Sequence, residues 1–182
     1  MDYGYHFVNA NVQDIDEAVR WGRISIEAAE RQYNDVYNQV LSTLNDCKYK
    51  YAEAKKEYEK VCAALNELVE QEKQLIEKIH DYDAWANSCH EREDYAGERD
   101  NRAKAAMLRE DLLPLEEKIK EVNEIKQKVS EELSKQAVAL EQAQSLFEYT
   151  EQDLQEAYRR LEELEATNRR EAEQTKEKII SK

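Results

Sequence analysis

Turn-making residues are scarce in this chain, with three glycines and one proline among 182 residues. A sheet protein needs such residues at each tight turn, so the scarcity excludes a turn-rich fold and leaves long helices. Long apolar runs are missing too. No segment reaches the roughly 18 uninterrupted apolar residues of a membrane span, and residues 1–25 lack a basic start followed by an apolar stretch. A cytoplasmic protein is expected, soluble or held peripherally at the inner face of the membrane. Excess basic charge is absent, because the formal net charge is −14 and Lys and Arg are interleaved with Glu. Nucleic-acid binding draws on a Lys/Arg face that releases counterions, so no nucleic-acid partner is expected.

The marks of catalysis and of cofactor binding are missing as well. Glycine-rich phosphate loops and G-x-S-x-G turns do not occur. His80, Cys89 and His90 lie near the carboxylates Asp81, Asp83 and Glu91, but the C-x2-C or H-x3-H pairs of zinc sites are not among them. Cys89 and His90 are sequence neighbours on what reads as a turn, which offers no rigid concave scaffold for a nucleophile and its base. Cys47, Cys62 and Cys89 form an odd set, which favours reduced thiols. Cys47 and Cys62 would stand roughly 22 Å apart on one helix and cannot bridge. The expectation is a non-enzyme with no metal and no cofactor.

Charged residues make up 37% of the chain, rich in Glu and Lys, and the apolar residues are dispersed. That is a coiled-coil composition. Apolar positions recur in alternating steps of four and three, the spacing that keeps one stripe facing a partner helix. The first run is Tyr33, Tyr37, Val40, Leu44, Cys47, Tyr51, Ala54, Tyr58, Val61, Leu65, Leu68, Glu72, Leu75, Ile79 and Tyr82. The second is Leu108, Leu112, Leu115, Ile119, Val122, Lys126, Val129, Leu133, Gln136, Leu140, Ala143, Phe147, Thr150, Leu154, Ala157, Leu161 and Leu164. Helices carrying these stripes would each be about 75 to 90 Å long and could not bury them alone.

The fold class expected is therefore all-α, a short N-terminal helix followed by a long antiparallel coiled-coil hairpin. Between the runs, 86-ANSCHEREDYAGERDNR-102 loses the rhythm, and Asn and Ser supply turn chemistry. The reversal is placed near residues 86–92, with Gly97 as the rival position. Residues 1–24 form the short helix and its turn, with Asp14 and Glu17 as a capping-box-like opening, Gly22 as terminator and Ser25 as the next N-cap. Val8, Val12, Ile15 and Val19 keep phase with Ile26, Ala29 and Tyr33, so one merged helix is the alternative. Residues 25–168 carry the hairpin, and 169–182 read as a polar, fraying tail. Pro114 either begins a helix or kinks one, and the unbroken phase from Leu112 to Leu115 favours the kink.

Five tyrosines sit on the first stripe, and bulky rings with polar tips fit poorly in a two-stranded seam. Val36, Leu41, Val69 and Ile76 widen the apolar face further. Self-association follows, with Tyr33, Tyr37, Tyr51, Tyr58, Leu65, Leu68, Leu75 and Ile79 as its stripe. Trp21 and Trp85 either cover the ends of the helix pack or anchor a partner or bilayer. Trp85, Cys89 and His90 mark the hairpin tip.

Two stretches carry a resemblance. The segment 7-FVNANVQDI-15 looks like the end of an N-terminal amphipathic helix, and 90-HEREDYAGERDNRAKAAML-108 like an acidic-basic, alanine-containing opening of a second hairpin helix. Both resemble the phage-shock-protein-A family of bacterial membrane-remodelling proteins, relatives of the ESCRT-III proteins. The hairpin plan it covers spans residues 7–165, and the sequence departs from the family at Gly22 to Ser25, Gly97, Asn101 and Pro114. The resemblance implies protomers that stack into rods or rings and bind bilayers, with Tyr3, Tyr5, Phe7, Val8, Val12, Ile15, Val19 and Trp21 facing the membrane. Residues 1–30 hold six acids against two Arg, so insertion would act without electrostatic help. The reading is a self-assembling coiled-coil scaffold at a lipid bilayer; the alternative is a helical adaptor or secretion-type hairpin that offers its apolar face to a protein partner.

Overall fold

The structure, a computed structural model, describes residues 12–181 and consists of two long helices that pack against each other. Helix α1 runs Val12–Glu91 and helix α2 runs Tyr95–Ile180. Each carries an acid in its first turn, Asp14 and Glu98, and a basic residue in its last, His90 and Lys178. These placements complement the helix dipole.

Every position of both predicted stripes is buried or half-buried, the polar members Glu72, Lys126 and Gln136 included. The stripes also extend beyond their expected ends. Ala86 and Cys89 continue the first in the same rhythm, and Asn101 and Ala105 lead into the second.

The chain divides into two compact units. The first joins α1 up to Lys48 with α2 from Ala139. Its core centres on Ile26, Ala29 and Leu161, with Tyr33 packed against them. Tyr33 meets Tyr158 edge-on at 5.6 Å between ring centroids, and Tyr37 meets Phe147 at 5.6 Å. The Tyr158 hydroxyl donates to Asn34 Oδ1 at 2.9 Å, which satisfies the polar tip of the ring. The second unit is Tyr49–Val138 and holds Leu65, Leu68, Ile79, Ala86, Cys89 and Ala105 as its most buried apolar residues.

Three expectations change. The break at Gly22 to Ser25 is absent, since α1 passes through both residues. Gly22 is buried on the stripe between Val19 and Ile26, and the Ser25 hydroxyl donates back to the Trp21 carbonyl at 3.1 Å instead of capping a new helix. Glycine costs about 1 kcal/mol inside a helix, less than burying Ile15 and Ile26 on either side of it contributes. The segment 169–182 is not a frayed tail within the described residues, because α2 reaches Ile180 with Asn168 and Ala172 buried and Lys176 paired to Asp16 of α1. The turn between the helices falls at 92–94, at the C-terminal edge of the expected 86–92 window. Asn87 and Ser88 lie on the exposed outer face, where they do not interrupt the stripe. Helix α2 also continues through Pro114, so no helix begins there.

Candidate functional site

The densest set of polar side chains bridging the two helices surrounds the turn, wholly within the second unit. Arg92 closes α1, and Glu93 adopts a left-handed conformation with φ 62°. The Asp94 amide donates to the Cys89 carbonyl at 2.9 Å and the Glu93 amide to the His90 carbonyl at 3.0 Å, the paired bonds of a Schellman motif. Glycine normally occupies that left-handed position, so a glutamate there carries a local cost.

Asp94 then serves the next helix. Its side-chain Oδ1 accepts from the Gly97 amide at 3.0 Å, and its carbonyl accepts from the Glu98 amide at 3.0 Å. It is the N-cap of α2. A methyl group at Gly97 would collide with this carboxylate and lie 3.0 Å from the Cys89 sulfur. Glycine thus relieves a close approach and does not serve a turn conformation. The Cys89 thiol is buried and faces Asn101 Nδ2 at 3.8 Å, while Asn101 also donates to the Gly97 carbonyl at 2.9 Å.

Beside this core, His90 Nδ1 lies 2.8 Å from Glu98 Oε2, and Arg102 Nε donates to Glu98 Oε1 at 2.8 Å. The hydrogen bond from His90, then that from Arg102, hold the Glu98 carboxyl below its ordinary range. Further along, Arg109 pairs with Asp83 across the two helices. Lys104 donates to Asp100 at 2.7 Å and stands 5.8 Å from the Tyr82 ring centroid; the bond to Asp100 pushes the Lys104 ammonium up.

Of the expected tip residues, Trp85 is 54% exposed and packs edge-on against Tyr82 at 5.2 Å, Cys89 is buried, and His90 is exposed. The residues expected at a membrane or partner surface separate. Phe7, Val8 and the side chain of Val12 lie outside the described residues, as do Tyr3 and Tyr5. Ile15 is fully buried and Val19 half-buried, while Trp21 is 65% exposed. The stripe expected to drive assembly is likewise engaged within the chain: Leu65, Leu68 and Ile79 are buried, and Tyr33, Tyr37, Tyr51, Tyr58 and Leu75 half-buried. Open apolar residues beside it include Val36, Val69 and Ile76 on α1 and Leu113, Ile125 and Val138 on α2.

Among the described residues, no group of three or more His, Cys, Asp or Glu is arranged to hold a metal ion, and no helix is long and apolar enough to cross a membrane. The surface concavities are open grooves along the helices, such as the one formed by Asn34, Tyr37, Leu154 and Tyr158 in the first unit. No protein-family model, curated protein or solved structure matches the chain.

Proposed function

We propose that the chain is a non-catalytic helical scaffold whose two arms form an antiparallel coiled-coil hairpin and which self-assembles through its outer apolar faces. Within the first unit, the pairs Asp16 with Lys176 and Tyr33 with Tyr158 support the antiparallel reading; within the second, Asp83 with Arg109 does. One observation carries the assembly: Val69 and Ile76, one heptad apart on α1, keep 44% and 47% of their surface exposed after the two helices have packed. Large aliphatic residues repeated at heptad spacing outside the first seam are the signature of a second helix-packing face. A neighbouring protomer would cover it.

A bilayer is the second surface in this reading. Trp21 and Ile24, three residues apart on α1, are both exposed, and an indole beside an aliphatic side chain suits the membrane interface. The protein would then act peripherally, at the inner face of the cytoplasmic membrane, in the manner that the resemblance to the phage-shock-protein-A family implies.

Light scattering and negative-stain microscopy with and without liposomes test both parts. Rods, rings or concentration-dependent oligomers are expected, and Val69→Glu with Ile76→Glu is expected to return the protein to small particles with helicity retained. Discrete small particles at all concentrations, with no lipid pelleting, would overturn the reading; a stoichiometric complex with a single protein partner would favour an adaptor.

A further inference from the structure

We propose that His90, Glu98 and Arg102 form a proton-operated clasp that ties the last turn of α1 to the first turn of α2. The inference is independent of the assembly reading, since it concerns only the turn. Glu98 is the shared acceptor, receiving His90 at one oxygen and Arg102 at the other, both at 2.8 Å. Its side chain is 17% exposed, whereas the His90 side chain is 64% exposed and open to solvent protons. The ring also meets Tyr95 edge-on at 6.2 Å, which restrains its orientation toward the carboxylate.

An imidazole ordinarily titrates near pH 6.5, and only its protonated form gives Glu98 a charge-assisted hydrogen bond. The neutral ring donates an ordinary bond to the same oxygen. Proton uptake at His90 therefore tightens the clasp, and proton loss loosens it without breaking it. On α1, Glu91 adjoins His90. In the turn, Arg92 Nε is engaged with the Ser88 carbonyl at 3.1 Å, Glu93 occupies the left-handed position, and Asp94 caps Gly97. On α2, Arg99 and Arg102 follow Glu98.

The turn itself gives the clasp a task. With glutamate in a backbone conformation suited to glycine, closure of this turn carries a cost that the bond between the two helix ends offsets. A switch placed here changes how often the turn opens while the stripes beyond it remain packed.

Hydrogen exchange of the Glu93, Asp94, Gly97 and Glu98 amides in the full chain reads the clasp directly. After correction for intrinsic exchange, protection is expected to be about two- to fivefold greater near pH 5.5 than near pH 8, a small factor because the ring is solvent-exposed. H90Q and E98Q are each expected to remove this difference while circular dichroism keeps its helical signal. Equal protection at both pH values in the unaltered chain, or an unchanged difference in H90Q, would overturn the proposal. The nitrogen-15 shift of His90 Nδ1 needs no variant: a hydrogen-bonded nitrogen is expected in both pH regimes, and a free one in both would overturn the clasp.

Discussion

The two units follow the same apolar rhythm yet fill it with different chemistry. In the first, rings and large aliphatics meet, Tyr33 on Tyr158, Tyr37 near Phe147, and Leu161 against Ile26, beside the small buried Ala29, Ala143 and Ala172. Around the turn of the second, the buried layers are Ala86, Cys89 and Ala105, and a methyl at Gly97 would crowd the Asp94 carboxylate and the Cys89 sulfur. A turn of three residues holds two helix ends close, so side chains there must be small and the remaining contacts polar. A heptad thus specifies which residues face inward, while the tight turn limits their size beside it.

The contrast can be broken most forcefully in the first unit. Leu161→Ala removes one of the two large aliphatic members of the Ile26, Ala29 and Leu161 cluster and is expected to cost about 3 kcal/mol in denaturant unfolding at fixed protein concentration. The complementary change at the turn is Ala105→Leu. It inserts bulk where Ala105 is fully buried and is expected to cost about 2 kcal/mol through overpacking. A gain in stability from this variant would show that the turn does not hold the helices close.

Two smaller changes sharpen the account of the turn and carry opposite signs. Gly97→Ala adds helix propensity but displaces the Asp94 cap and crowds the Cys89 sulfur, so a net loss of about 1 kcal/mol is expected. Glu93→Gly relieves the left-handed glutamate and is expected to stabilise by about 1 kcal/mol. Equal signs in the two variants would contradict the Schellman and cap assignments.

The smallest effect concerns pH. Because His90 and Arg102 lower the folded-state titration of Glu98, its contribution is present above the ordinary glutamate value and is lost as pH falls through the lowered one, while the share from His90 weakens again when the imidazole loses its proton. Unfolding midpoints compared between the unaltered chain and Glu98→Gln should therefore converge on the acid side and separate above the ordinary glutamate range. A constant gap at all pH values would assign Glu98 a merely steric role.

Much of this architecture is legible in the residues. Each stripe position, down to Lys126 and Gln136, follows from spacing alone, because burial in a helix pair is governed by a local period. The same rhythm runs through Ile15, Val19, Gly22 and Ile26, where Gly22 is a buried stripe position and not a stop. The turn was harder to locate. Asn87 and Ser88 have turn chemistry but point outward, whereas the decisive residue, Asp94, is one of many acids until its bond to Gly97 is seen. His90 and Glu98, eight residues apart with a turn between them, have no spacing that announces a pair.

By itself, then, the sequence determined that the chain is helical, that two stripes exist, and which residues lie on them, since each follows from the fixed period of the α-helix. Tertiary structure alone decided which residues form the turn, why Gly97 sits against Asp94 and Cys89, that 169–180 packs instead of fraying, and that Ile15 is fully buried. Those outcomes depend on which residues meet across the helix pair, and no local period encodes a meeting between distant parts of a chain.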